Sequence, residues 1–254
     1  MEKLEIKGTS LTYTRRGKGT PLVLIHGFPF DHSTWNEVVP LLEDEFDVIM
    51  PDLRGFGQST TISGPYTIDD LASDIAVLLD HLGIEKAAIV GHSMGGYVAL
   101  AFVRLFPTHV RGLGLVSTQA AEDTPERKQG RYDTAKQVEE KGVGVVADSL
   151  TPKLSADERV QSFVRELIQK QSAAGVAGAL KAMAERTDST SILPLIKFTV
   201  VIVHGDADAL IPVDRGREMK EAITHAAYVE LPGVGHMPMV EAAEKTAEAL
   251  KLLK

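Results

Sequence analysis

Short apolar runs recur along this chain at residues 11–14, 22–26, 46–50, 86–90, 110–116, 198–204 and 227–231, and several lack the polar alternation of a strand with one wet face. Strands that are apolar on both sides must be covered on both sides, which is the condition of a buried parallel sheet. Helical segments between the runs supply the cover. After Thr67, residues Leu71, Ile75, Leu78, Leu79 and Leu82 recur at helical spacing, with Thr67 placed to cap, Asp70 in the first turn and Gly83 beyond the end. Strand and helix in alternation predict an α/β fold built on a doubly wound, mostly parallel sheet. Residues 1–7 alternate charged and apolar side chains, as an edge strand would.

The alternation stops between residues 119 and 194, where no β-run is found and four helix-like stretches take its place. Thr124-Pro125 reads as a cap followed by a first-turn proline, and Ser155-Ala156-Asp157-Glu158 as a capping box. A purely helical insertion between two sheet strands is expected over the carboxyl edge, where ligands of open α/β sheets bind. The expected organisation is therefore a core of residues 1–118 and 194–254 and a helical cap or lid of residues 119–193. The plainer alternative is that these helices cover one sheet face.

Composition narrows the function classes. At 254 residues and 44% hydrophobic content the chain can bury a substantial core. A net charge of -8 with a pI near 5.5 argues against a nucleic-acid partner, because phosphate binding relies on Lys/Arg patches. With no cysteine there are neither disulfides nor thiolate metal sites. No apolar run approaches membrane-spanning length and residues 1–7 hold no signal-like apolar stretch, so a cytoplasmic location is expected.

Gly91-His92-Ser93-Met94-Gly95-Gly96 follows one apolar run and opens a helix-like segment. A serine hydroxyl placed on so tight a turn stands clear of its neighbours, and Gly91 and Gly95 remove Cβ atoms that would collide there. The helix beginning at this turn points free N–H groups at any charge that develops beside Ser93. Such a nucleophile needs a base, an acid to orient the base, and a second oxyanion donor.

Of the eight histidines, His236 lies in a glycine-rich loop after the last apolar run and is the candidate base. His26 and His204 fit scaffold roles equally well, His92 is expected to shape the turn, and His32, His81, His109 and His225 read as surface or helix-end residues. Asp206 and Asp208, just after residues 198–204, compete for the acid. The expected oxyanion donors are the N–H of Met94, directly after the serine, and that of Phe28 in the loop His26-Gly27-Phe28-Pro29. Trp35, Phe28, Phe30, Phe163, Tyr132 and Met183 are pocket candidates, although apolar residues at such spacing are more often core.

These motifs, with Asp52-Leu53-Arg54-Gly55-Phe56-Gly57-Gln58-Ser59 and Gly205-Asp206-Ala207-Asp208-Ala209-Leu210-Ile211-Pro212, resemble the α/β-hydrolase superfamily over nearly the whole chain. Within it the chain looks like small bacterial carboxylesterases and cofactor-free haloperoxidase or perhydrolase-type enzymes. The resemblance implies the order Ser93, Asp208, His236 and favours Asp208 over Asp206, through a Gly-x-x-Asp-x-x-x-Pro pattern at Gly205, Asp208 and Pro212. It also implies that Asp52 to Ser59 is a structural loop. One departure from the family pattern is Ala243 where a proline commonly stands, after Glu241.

The expected activity is hydrolysis of a small or medium carboxylic ester through an acyl-enzyme, with no cofactor and no metal. Enol-lactonase, C–C bond hydrolase and perhydrolase or haloperoxidase-type chemistry keep the same triad and remain alternatives. A ligand-binding receptor retaining the triad is a minor one. The expected partner is a small-molecule ester.

Overall fold

Strand β1 (Glu2–Ile6) pairs antiparallel with β2 (Thr9–Gly17), and β2 pairs antiparallel with β4 (Phe46–Asp52). Every later pairing is parallel, through β3 (Thr20–Ile25), β5 (Ala87–His92), β6 (Val110–Val116), β7 (Thr199–Gly205) and β8 (Ala227–Leu231). The sheet order is β1-β2-β4-β3-β5-β6-β7-β8 in the computed structural model, which describes residues 1–6, 8–61 and 64–254. Lys7, the last residue of the expected edge strand, lies outside the described residues. The α/β class and the mostly parallel sheet are thus as the apolar runs predict. β5 is buried throughout, and β3 and β7 are buried from Leu22 and Val200 onward, because helices cover both faces.

The winding reverses at β3: the chain passes from β3 to β4 on one side, then places β5 on the other. A crevice opens at such a switch point, outside the carboxyl ends of the strands. The loops after β3 and β5, which carry Phe28 and Ser93, are the two that meet there.

Helix α1 (Ile68–His81) begins with the expected reciprocal cap, Thr67 Oγ1 accepting from Asp70 N at 3.1 Å and Asp70 Oδ2 from Thr67 N at 2.8 Å. It packs on α2 (Met94–Leu105), whose inward face lies on β3, β5 and β6. Between β6 and β7 the chain forms α3 (Pro125–Lys141), α4 (Gly144–Leu154), α5 (Glu158–Lys170) and α6 (Ala173–Ala184), the four-helix insert expected from the loss of strand signal. α3 packs on α6 and on α4, and α4 packs on α5. Thr124 caps α3 as predicted, with Pro125 in its first turn.

The capping box at Ser155 is corrected: Asp157 caps α5 by accepting from Arg159 N at 2.8 Å. Ser155 instead ends α4: its Oγ accepts from Asp157 N at 3.1 Å and donates to Glu241 at 2.7 Å, and α5 starts two residues later than the capping box placed it. The core is completed by α7 (Asp214–Ala222), α8 (Pro238–Glu241) and α9 (Ala243–Leu250). Among the described residues no helix is long and apolar enough to cross a membrane.

Candidate active site

Ser93 occupies a backbone conformation that L-residues avoid, φ 52° and ψ -113°, between the end of β5 and the start of α2. Its glycines explain how the turn closes. A Cβ on Gly91 would run into the Gly95 carbonyl, one on Gly95 would lie 2.5 Å from the Ile25 carbonyl of β3, and one on Gly96 would meet Thr118. Ser93 N donates to Val116 O at 2.9 Å and Ser93 O accepts from Thr118 Oγ1 at 2.8 Å, so β6 and the loop after it hold the strained residue. Met94 N–H is the first of α2 and has no carbonyl one turn back to bond.

Asp208 follows β7 and its two oxygens are divided between two tasks. Oδ1 accepts from Leu210 N at 2.8 Å and Ile211 N at 2.9 Å, while Oδ2 accepts from His236 Nδ1 at 2.6 Å. Burial pushes this carboxyl's pKa up. The His236 charge, the nearby His204, and the bonds from His236 and Ile211 outweigh burial and hold it well below the usual carboxylate range. Asp206 has a different job: its Oδ1 accepts from Gly233 N at 2.6 Å, tying the loop after β7 to the turn after β8. The choice between the two aspartates, open in the sequence, is therefore separated by geometry.

His236 is buried, and its Nε2 has no hydrogen-bond partner among the described residues. With Nδ1–H given to Asp208, Nε2 carries a lone pair, the form in which an imidazole accepts a proton. The backbone of His236 is held from several sides. His236 N donates to Leu154 O at 2.7 Å, and His236 O accepts from His92 Nε2 at 2.8 Å. Glu241 accepts from Gly235 N at 3.0 Å and Met237 N at 2.9 Å, bracketing the histidine.

His92 joins the two halves. Its ring centroid lies 4.9 Å from that of His236, and any Cβ on Gly27 would strike its Nδ1, so the ring separates the loop after β3 from the loop after β8. Burial first, and the neighbouring His236 ring second, lower its pKa to about 3, which keeps the ring neutral and its Nε2–H available to the His236 carbonyl. His26 is likewise a scaffold residue: Nδ1 donates to Gly27 O at 2.9 Å and Nε2 accepts from Leu53 N at 2.9 Å.

A cavity of about 310 Å³ lies over Ser93 and reaches from Phe28 and Tyr97 on the core to α3, α4 and α6 of the insert. Of the pocket candidates, Phe28 and Met183 line it. Trp35 and Phe30 are core, Phe163 packs half-buried against the core, and the exposed Tyr132 bonds Glu185 at 2.7 Å.

His32 opens a short 3-10 helix, His32–Trp35, a helix-end position, and is half-buried, donating from Nδ1 to the buried Asp52 at 2.7 Å. Asp31, His32 and Asp52 place ligand-type atoms within 4.8 Å of one another. Their oxygens already accept from Ser33, Gln171, Gln58 and His32 itself, so the cluster serves as a structural network. Arg54, in the Asp52–Ser59 loop, forms a two-pronged bridge to Asp74 at 2.6 and 2.5 Å.

Two supporting residues escaped sequence reasoning. Glu241 left one local signal, a carboxylate shortly after a glycine-rich turn with free N–H groups. The His92 bond to the His236 carbonyl left none, because the partners are 144 residues apart.

A family model described as the alpha/beta hydrolase fold matches residues 20–243. A thermophilic esterase from Thermogutta terrifontis, solved with malate bound, superposes with a TM-score of 0.93 at 38% identity, covering 96% of this chain and 92% of that one. The dihydrolipoyllysine-residue acetyltransferase component of the acetoin cleaving system of Pseudomonas putida is 33% identical over 98% of this chain and 68% of its own length. The 3-oxoadipate enol-lactonase 2 of Acinetobacter baylyi is 30% identical over 94% of this chain and 91% of its own.

Proposed function

Because the chain belongs to the α/β-hydrolase fold family, we propose that it hydrolyses small or medium carboxylic esters through an acyl-enzyme on Ser93. The observation that carries this reading is the Asp208–His236 bond of 2.6 Å, with Nε2 left free and the ring packed against the residue beside Ser93. His236 takes the Ser93 proton as Oγ attacks the carbonyl carbon. Asp208 holds the imidazole in the tautomer this requires and stabilises the imidazolium that forms.

The N–H groups of Met94 and Phe28 bind the oxyanion, each worth about 3 to 4 kcal/mol at the transition state. His236 then protonates the departing alcohol. Water, deprotonated by the same nitrogen, releases the acid and restores the serine. Residues 119–193 act as the lid that confines the substrate, since α3, α4 and α6 share a cavity with Ser93.

An enol-lactone is the second reading, favoured by the Acinetobacter baylyi relative. The same residues open its ring by the same attack, and relative turnover of a phenyl ester and an enol-lactone decides between the two. The reading as a whole is tested on Ser93. An organophosphate labels it stoichiometrically, and Ser93→Ala lowers kcat for a short p-nitrophenyl ester by about 10⁶-fold. Full residual turnover in the variant overturns the assignment.

A further inference from the structure

The chain carries a net charge of -8, yet the cavity over Ser93 is lined by Arg127, Arg131 and Lys153 and by no carboxylate. Arg127 and Arg131 stand one turn apart on α3, and Lys153 lies in the last turn of α4. Behind the arginines is one buried carboxylate, Asp123. It is bridged to Arg127 at 3.3 Å, to Arg131, and to Arg186 at 2.8 Å.

Arg186 is the buried member of this group and suffices to balance Asp123. Its Nη1 and Nη2 also donate to the Met183 carbonyl at 3.0 Å and the Ala121 carbonyl at 2.7 Å, its Nε has no partner among the described residues, and its guanidinium carbon lies 4.2 Å from the centre of the Tyr97 ring. The charges of Arg127 and Arg131 are therefore surplus to the cluster. Arg131 Nη1 has only the Met183 thioether at 3.4 Å as acceptor, a weak partner for a charged donor. Lys153 forms no ion pair among the described residues. Positive groups gathered in one concavity of an acidic protein focus the potential toward an anion.

Gly130 points the same way. A glycine inside a helix costs about 1 kcal/mol relative to alanine. A Cβ there would meet nothing within 4 Å, so packing does not demand the glycine. Its position, between the two arginines on the cavity wall, keeps that wall open.

We propose that this cavity selects esters or lactones carrying a carboxylate away from the scissile carbonyl, held by Arg127, Arg131 and Lys153 while Ser93 attacks. The inference rests on the serine-hydrolase reading above. A volume of about 310 Å³ favours short substrates such as half-esters of small dicarboxylic acids.

Two matched pairs test it at neutral pH and low salt. p-Nitrophenyl hemiglutarate is compared with its terminal amide, for a charge on the acyl side. 4-Acetoxybenzoate is compared with 4-acetoxybenzamide, for a charge on the alcohol side. The anion is expected to be preferred in kcat/KM by about tenfold or more in at least one pair, the scale of one hydrogen bond to a charged group. The preferred pair identifies the side that bears the carboxylate. Arg131→Gln, Arg127→Gln and Lys153→Gln are each expected to move the ratio toward one; the last two alter more exposed side chains and keep the test open if Arg131→Gln fails to fold.

Ratios at or below one in both pairs, or ratios unmoved by all three variants, overturn the proposal. Labelling by a neutral organophosphate reports the triad separately. Labelling without anion preference removes the selectivity and leaves the hydrolase. No labelling and no turnover of any of the four substrates overturns both.

Discussion

Ser93 and Asp208 sit in turns held by backbone groups of the sheet, whereas the cavity above them is walled by side chains from helices that interrupt it. Sheet neighbours are constrained by strand spacing and by glycines with no room for a Cβ, so the reacting groups have little freedom to drift. The insert is constrained mainly by packing of α3 on α6 and α4 on α5, which leaves its cavity-facing residues free to differ. On the function proposed above, the type of chemistry falls to one region and the choice of substrate to the other. His236 belongs to both, since Leu154 at the end of α4 accepts from its N–H while His92 at the end of β5 donates to its carbonyl.

The largest expected effect strikes the sheet-held half. Asp208→Asn keeps an oxygen for Leu210 and Ile211 but turns an N–H₂ toward His236, forcing the wrong tautomer, and kcat should drop by about 10⁴-fold. Asp206→Asn retains the acceptor for Gly233 and should leave ester turnover within about threefold of the parent. Steady-state kinetics on one p-nitrophenyl ester compares the two. A reversal of the pair would mean that the geometry has assigned the wrong acid.

The joint between the regions should respond next. Glu241 accepts from Gly235 N, Met237 N and Ser155 Oγ, linking the His236 loop to the end of α4. Glu241→Gln turns one acceptor into a donor facing these groups, and a loss of about 3 kcal/mol is expected in urea unfolding, with slower labelling of Ser93. Stability lost with labelling unchanged would show that the joint holds the insert without positioning the base.

The smallest expected effect is a pH dependence at His92. Unfolded, its imidazole takes a proton below about pH 6.5. Folded, it stays neutral until about pH 3, chiefly because it is buried. Stability is therefore full above pH 6.5 and falls as the pH drops, by about 1.4 kcal/mol per unit, or about 2 kcal/mol by pH 5. Urea titrations at pH 7 and pH 5 measure the slope, and His92→Gln should reduce it, leaving the part owed to the likewise buried His26. An equal slope in the variant would assign the acid sensitivity elsewhere.

The strands were legible because apolar runs without polar alternation have one meaning in an α/β chain, and α1 because Thr67 and Asp70 cap each other across three residues. The turn at Ser93 was legible because its glycines are crowded by near neighbours as well as by β3. Ser155 misled because the local pattern admits two starts: Asp157, two residues on, caps α5 instead, while Ser155 accepts from Asp157 N and donates to Glu241, 86 residues away. Between Asp206 and Asp208 local residue types left the choice open, since both follow β7; the Gly-x-x-Asp-x-x-x-Pro pattern of the resemblance favoured Asp208, and in space the loop after β8 separates the two.

By itself, then, the sequence determined the order of elements, the helical interruption, and the glycine-flanked serine at a strand-to-helix turn. Periodicity and steric permission act over a few residues, and this chain states both openly. Only the tertiary structure decided what steadies His236, and that Arg127, Arg131 and Lys153 surround the space over Ser93. Those facts depend on how α3 and α4 settle above a sheet whose strands come from both sides of the insert in sequence, and no local pattern encodes that distance.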